Sequence, residues 1–245
     1  METLVEMLSA AARTFSTLPV KRHNIALVLH GCGVFDGSEI HEATSMLIHL
    51  SRHKVNVSMF APDMNQMHVI NHLTGETMNQ TRNVLVESAR LARGKIAPLK
   101  ELNVEKYDAL FIPGGFGAAK NLSNFAEKQA NCTVIKELEN VLKMFHSAGK
   151  PMGLCCISPV LAARCIPGVK VTVGKDVEEN ARWPNCGVTQ AVKSMGSIHS
   201  NCDVLDVCVD EKNKVVTTPA YMYGPASIAE VFEGIGNLVD AVIRL

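Results

Sequence analysis

Ile25-Ala-Leu-Val-Leu-His30 is a compact apolar run bounded by polar residues, the pattern of a strand buried on both faces. Similar short runs recur at Asp108–Ile112, Met152–Cys156, Val169–Val173 and Lys214–Thr218, while Val55–Phe60 alternates as a half-buried strand does and Cys202–Val209 reads as a further strand. Between them, apolar positions fall at helical spacing. Ile40, Ala43, Leu47 and Leu50 share a face of a helix starting near Ser38. Val84, Leu85, Ala89 and Leu91 offer a burial face within residues 81 to 93. Ile135, Leu138, Leu142 and Phe145 do so within residues 133 to 147. A helix is expected from Pro159 to about Cys165, and a last one presents Ile228, Val231, Phe232, Ile235, Leu238 and Val242. Strands alternating with helices predict an α/β fold, a mostly parallel sheet with helices on both faces. Without repeat, linker or low-complexity tract, residues 24–245 read as a single domain behind an extension, residues 1–23.

That extension has two readings. Met7–Leu18 is rich in Ala and Ser, carries Arg13 and has no acid, and Lys21 and Arg22 follow, as in an organelle transit peptide. Glu2 and Glu6 speak instead for a loosely helical tail.

Composition narrows the partners. The 245 residues are 47% apolar, enough for a core, and 24 basic side chains balance 24 acidic ones. That balance argues against nucleic acid or an anionic membrane surface as partner. No apolar run approaches the roughly 20 residues needed to span a bilayer. The eight cysteines show neither C-x-x-C pairs nor zinc-type spacing and read as free thiols in a reducing compartment. His68 and His72 are four apart, but no third ligand is near and Gly75 ends any helix, so neither metal nor cofactor is expected.

The chemistry concentrates in Lys150-Pro-Met-Gly-Leu-Cys-Cys-Ile-Ser-Pro159, a buried strand that turns at once into a helix, with Ser158 at the N-cap and Pro159 in the first turn. A side chain there stands at the carboxyl end of a sheet strand, where open α/β folds bind ligands. It also stands at a helix N-terminus, which favours a thiolate. Cys156 is therefore the candidate nucleophile. The plainer alternative makes Cys155 and Cys156 small buried hydrophobes. Two glycine-rich loops follow other strands. Gly31–Gly37 lacks the G-x-G-x-x-G dinucleotide fingerprint, and Pro113–Ser123 lacks the P-loop pattern but leaves amides free to meet an anion. Glu39 and Glu42 lie in a first helical turn. Complementing the helix dipole explains them, unless one points into the mouth of the sheet.

Gly31-Cys-Gly-Val-Phe-Asp-Gly-Ser-Glu-Ile-His-Glu42, Pro113-Gly-Gly-Phe-Gly-Ala-Ala-Lys-Asn-Leu-Ser123, Gly153-Leu-Cys-Cys-Ile-Ser-Pro159 and Lys214-Val-Val-Thr-Thr-Pro-Ala220 occur in this order. Together they resemble the glutamine amidotransferase-like class 1 domain proteins of animal mitochondria and their bacterial ElbB relatives, within the PfpI-type superfamily. The resemblance covers roughly residues 24 to 245. It implies a flavodoxin-like three-layer sandwich, a homodimer, glyoxalase activity without glutathione, and a mitochondrial location, with the cytoplasm as the alternative. It also implies that Cys156 is the nucleophile of a strand-to-helix elbow, that Glu39 is the acid contacting it, and that the amides of Gly115 and Ile157 are oxyanion donors. The expected reaction is addition of the Cys156 thiolate to a small dicarbonyl such as glyoxal, proton shuttling by Glu39, and release of a hydroxy acid by water.

Three departures weigh on this. PfpI-type peptidases carry a histidine directly after the cysteine, where this chain has Ile157. Many deglycase-type members carry one after the following strand, which here ends in Gly174. Glutaminase domains carry a downstream His-x-Glu pair, whereas the downstream histidine here, His199, has Asn201 two residues on. No familiar Cys-His-acid triad can be assembled, so peptidase and glutaminase chemistry are disfavoured. A non-catalytic redox-sensing or scaffold protein on the same fold is the alternative function. Leu154, two residues before the cysteine where tight elbows prefer a small side chain, predicts a less pinched turn.

Overall fold

The computed structural model describes residues 23–245; the targeting segment expected at 1–23 lies, apart from His23, outside them. In chain order the elements are β1 (Asn24–Val28), α1 (Ile40–Arg52), β2 (Asn56–Ala61), α2 (Val84–Leu91), β3 (Ile96–Pro98), β4 (Ala109–Ile112), α3 (Phe116–Lys120), α4 (Phe125–Lys128), α5 (Lys136–Ser147), β5 (Met152–Cys155), α6 (Pro159–Cys165), β6 (Lys170–Val171), α7 (Val188–Ser194), β7 (Ile198–His199), β8 (Cys208–Asp210), β9 (Val215–Thr218) and α8 (Ile228–Arg244).

Seven strands form one sheet in the order β3-β2-β1-β4-β5-β9-β8. Every pairing in it is parallel except the β8–β9 edge, where Cys208–Asp210 runs antiparallel to Val215–Thr217. The central strands β1, β4, β5 and β9 are buried nearly throughout, which is why they read as unbroken apolar runs rather than alternating ones. Helices α1 and α8 pack together, as do α5 and α6, completing the sandwich. Close packing leaves Gly153 no room for a side chain: a Cβ there would stand 2.7 Å from the Phe111 ring and 3.0 Å from Val242 of α8.

The chain leaves β1 for β2 on one side and returns through β4 on the other, so the strand order reverses between β1 and β4. Ligands of open α/β sheets bind outside the carboxyl ends of the strands at such a reversal. Four chain segments meet there: residues 29–39 after β1, Pro113–Gly115 after β4, Cys156 after β5 and Pro219–Tyr221 after β9.

Several elements depart from the sequence expectation. Of Cys202–Val209 only Cys208 and Val209 join a strand, because Asp203 and Asp206 fold the preceding residues into a turn: the Asp203 amide donates to the Asp206 carboxylate at 2.9 Å and the Val204 amide to Asp203 at 2.8 Å. The short β3, β7 and α7 carry too few residues to show a period. Helix α1 begins at Ile40, with Glu39 as its N-cap, and Ile40 is exposed rather than buried.

Candidate functional site

Strand β5 ends at Cys155, and Cys156 then adopts φ +58°, the left-handed region that costs a non-glycine residue about 1–2 kcal/mol. The sheet holds it there, since its amide donates to the Thr218 carbonyl at 3.0 Å. Ser158 occupies the N-cap position of α6 without capping it; its hydroxyl donates to the Pro113 carbonyl instead. His30 Nε2 lies 3.0 Å from the same carbonyl and must donate to it, which leaves Nδ1 as the bare nitrogen, buried without a hydrogen-bond partner among the described residues. Two donors thus fix the Pro113–Gly114 peptide at the end of β4, next to Cys156 at the end of β5.

Burial pushes the His30 pKa down to about 4 from an ordinary 6.5. A depressed histidine stabilises the fold above pH 6.5 and withdraws that contribution as pH falls through 4. We expect stability to drop by about 3 kcal/mol between those values, and His30→Gln to flatten that limb of a pH series of urea titrations.

The acid beside the sulfur is Glu42, not Glu39. Helix α1 turns Glu42 inward with Ala43, Met46 and Leu50, and its side chain is fully buried. Glu42 Oε2 accepts the Gly114 amide at 2.8 Å and the Cys155 thiol at 3.4 Å, and the Cys156 sulfur stands beside the same carboxyl, the two closing over Gly114. Desolvation, reinforced by the negative charge of Glu39, lifts the Glu42 pKa to about 7. Glu39, expected at the thiol, is occupied one turn earlier. Its Oε2 accepts the Glu42 amide at 2.7 Å as the helix cap, its Oε1 faces His41 at 3.6 Å, and it lines the cavity outside Cys156.

The expected thiolate is also not the resting form. Burial, then the Glu42 charge, push the Cys156 thiol well above its ordinary range. The amides of Gly115 and Ile157 act the other way by facing the sulfur. Gly115 has φ +102°, and a Cβ there would stand 2.3 Å from the Gly37 carbonyl, so only glycine lets the two loops meet. The Glu39 amide closes that contact by donating to the Gly114 carbonyl at 2.8 Å. Asn121 holds the first loop from below, donating to the carbonyls of His30 and Asp36 at 2.9 and 2.8 Å.

Despite Leu154, the thiol is not sealed. Cys156 is 8% exposed and opens onto a cavity of about 260 Å³. One wall is apolar, with Phe116, Phe125, Val188 and Met222; Lys120, Gln129, Asn185 and Tyr221 supply polar groups. The Tyr221 hydroxyl lies 2.9 Å from His41 Nδ1, and its amide reaches Glu42 Oε1 at 3.4 Å. A chain of polar groups therefore runs from the cavity to the exposed His41.

The histidines of related chemistries have no counterpart beside the sulfur. Ile157 follows the cysteine. Gly174 has φ +101°, and a Cβ there would stand 2.4 Å from the Trp183 ring, so the indole covers that position. His199 accepts the Val173 amide at 3.3 Å and does not line the cavity. Sequence reasoning missed Lys120, His41 and Tyr221. Glu42 had a signal: it precedes Met46 by four and Leu50 by eight, on the buried stripe of α1, whereas Glu39 sits where a cap belongs.

No family model matches the chain. Curated relatives do. It is 53% identical over 238 residues to the mitochondrial ES1 protein homolog of Rattus norvegicus, covering 97% of this chain and 89% of that one. It is 52% identical over 238 residues to the mitochondrial glutamine amidotransferase-like class 1 domain-containing protein 3 of Homo sapiens, covering 97% and 88%. Among solved structures, an isoprenoid biosynthesis protein with amidotransferase-like domain from Ehrlichia chaffeensis superposes with TM-score 0.81 at 37% identity, covering 90% of this chain and 99% of that one. Glyoxalase III from Candida albicans shares the fold, with TM-score 0.56 at 13% identity over 90% of this chain and 97% of that one. With relatives of this identity and coverage, the chain is a mitochondrial protein that belongs to the ES1 family of glutamine amidotransferase-like class 1 domain proteins.

Proposed function

We propose that the protein is a glutathione-independent glyoxalase-type enzyme that converts small 2-oxoaldehydes to 2-hydroxy acids. The observation that carries this reading is the Cys156 sulfur beside the Glu42 carboxyl, at the floor of a cavity and facing the Gly115 and Ile157 amides. Glu42, with a pKa near working pH, suits a general base that must also serve as an acid.

The sequence of steps balances without an outside oxidant. Glu42 takes the thiol proton as sulfur attacks the aldehyde carbon; the C–S bond forms and the carbonyl pair moves to oxygen. The Gly115 and Ile157 amides stabilise that oxyanion until Glu42 returns the proton, giving the hemithioacetal. Glu42 then removes the C1 proton, whose electron pair becomes the C1=C2 bond of an enediol as the C2 oxygen gains a proton. Reprotonation at C2 and loss of the C1 hydroxyl proton leave a thioester, C1 oxidised and C2 reduced. Water cleaves the C–S bond, releasing the hydroxy acid and restoring the thiol. Glu39 caps α1 and lines the entrance, and its assignment as the acid passes to Glu42 in this scheme.

Glyoxal consumption and glycolate formation test this. Cys156→Ala is expected to lose at least about 10³ in kcat/KM, and equal background rates in wild type and variant would remove the idea. They would leave the scaffold reading on the same fold. A glutaminase reading finds no histidine in place to activate the sulfur.

A further inference from the structure

The cavity is larger than glyoxal requires. A water molecule in the liquid takes about 30 Å³, so 260 Å³ holds on the order of nine such groups, against the four heavy atoms of glyoxal. Its lining carries one basic side chain among the described residues, Lys120, and one acidic one, Glu39. That ammonium donates to the Phe35 carbonyl at 2.9 Å and lies over the Phe116 ring at 5.2 Å. It forms no ion pair among the described residues; the influence of Asp36 reaches it only at longer range. An ammonium has three donors, so two remain for a ligand.

Several other lysines are placed differently. Lys136, Lys143, Lys175 and Lys193 each hold a carboxylate on the surface. A half-buried lysine left without an anion in a cavity is costly unless the ligand brings one. Glu39, the acid on the same lining, does not supply it, since its carboxylate serves the Glu42 amide and His41. Lys120 closes the short helix that Gly115 opens, and lysine side chains lean back toward the helix N-terminus, as the contact with Phe116 requires here. The ammonium is therefore turned toward the end of α3 from which the Gly115 amide points at the sulfur. A short ligand can bridge them along Phe116 and Ala119.

We propose that the cavity takes a 2-oxoaldehyde bearing a carboxylate beyond a short methylene spacer, its aldehyde at Cys156, its methylenes on the apolar wall and its carboxylate on Lys120. This rests on the reading of Cys156 as the carbonyl-attacking group. The carboxylate forms no covalent bond and the reaction steps are unchanged.

Two measurements separate this inference from the reading it rests on. Binding uses an unreactive pair: 4-oxopentanoate against neutral 2-pentanone, titrated by ligand-observed NMR into wild type, Lys120→Met and Lys120→Arg. Wild type should bind the oxo acid at least tenfold more tightly than the ketone, with the preference weakening as salt rises. Lys120→Met should abolish the preference and Lys120→Arg should keep most of it. Equal binding of the two compounds, or a preference that survives in a folded Lys120→Met, overturns the inference whatever the turnover. Catalysis compares 4,5-dioxopentanoate with methylglyoxal. A kcat/KM ratio of at least ten favouring the carboxylated compound, lost in Lys120→Met, supports the assignment. Cys156-dependent turnover of both at equal efficiency sinks it while leaving the glyoxalase reading intact. Turnover of neither, with the binding preference present, sinks the glyoxalase reading alone.

Discussion

Replacing Glu42 with Gln is expected to stabilise the protein above neutral pH while lowering kcat/KM for a dicarbonyl by about 10²–10⁴. The two effects share a cause. In the folded chain the Glu42 pKa is lifted to about 7 by burial, from an ordinary 4.5. A carboxyl with a raised folded pKa contributes its full stability below the unfolded pKa, and that contribution is lost as pH rises through the folded value. Wild type therefore gives up about 3 kcal/mol between pH 4.5 and 7 at this residue. Gln keeps a neutral group that can accept the Gly114 amide, so the difference between variant and wild type should grow over that window and level off above it. Urea titrations of both proteins at pH 5 and pH 8 check this, and an equal gap at the two values would show that Glu42 is not held protonated. The loss of turnover follows because Gln cannot accept the thiol proton. Wild-type kcat/KM should rise with pH through about 7, where Glu42 becomes the base.

The second large effect is expected at Gly114. A Cβ there would stand 2.3 Å from Cys156 Cβ, 2.4 Å from Glu42 Oε2 and 2.9 Å from the sulfur. Those atoms belong to a left-handed backbone residue and to a carboxyl held by the Gly114 amide itself, so neither can yield without the other. Gly114→Ala should cost about 1–3 kcal/mol of stability, as overpacking does, and at least 10² in turnover from misplacing the reacting pair by about an ångström. Gly187→Ala is the control. That glycine lies at φ −59°, with nothing within 4 Å of an added Cβ. Unfolding midpoints and turnover of the two variants should therefore diverge sharply. If Gly114→Ala turns over like wild type, the carboxyl and thiol do not act as a pair.

The central strands, α5, α6, α8 and the position of Cys156 were legible because each rests on a local signal: an unbroken apolar run, a helical period, or a strand meeting Ser-Pro. The amides of Gly115 and Ile157 were legible through the loops that carry them. The acid was not, because Glu39 and Glu42 differ by one turn of a helix whose entry angle is set by the Glu39 amide on the Gly114 carbonyl, 75 positions along the chain. The thiol's protonation was misread for a related reason. A helix N-terminus is visible in sequence, whereas the enclosure of Cys156 by Gly114 and Glu42 is a tertiary fact. Lys120 reads as an ordinary helix-end cation until the cavity beneath it is seen.

The indole packed against Gly174 carries a historical consequence. A histidine installed at that position would have to expel Trp183, itself 1% exposed, and accept a backbone angle that few side chains tolerate. No single codon change there can install an imidazole without displacing that indole. Any path to such an arrangement must first shrink the tryptophan, and the intermediate would bear an emptied core before it gained a working ring.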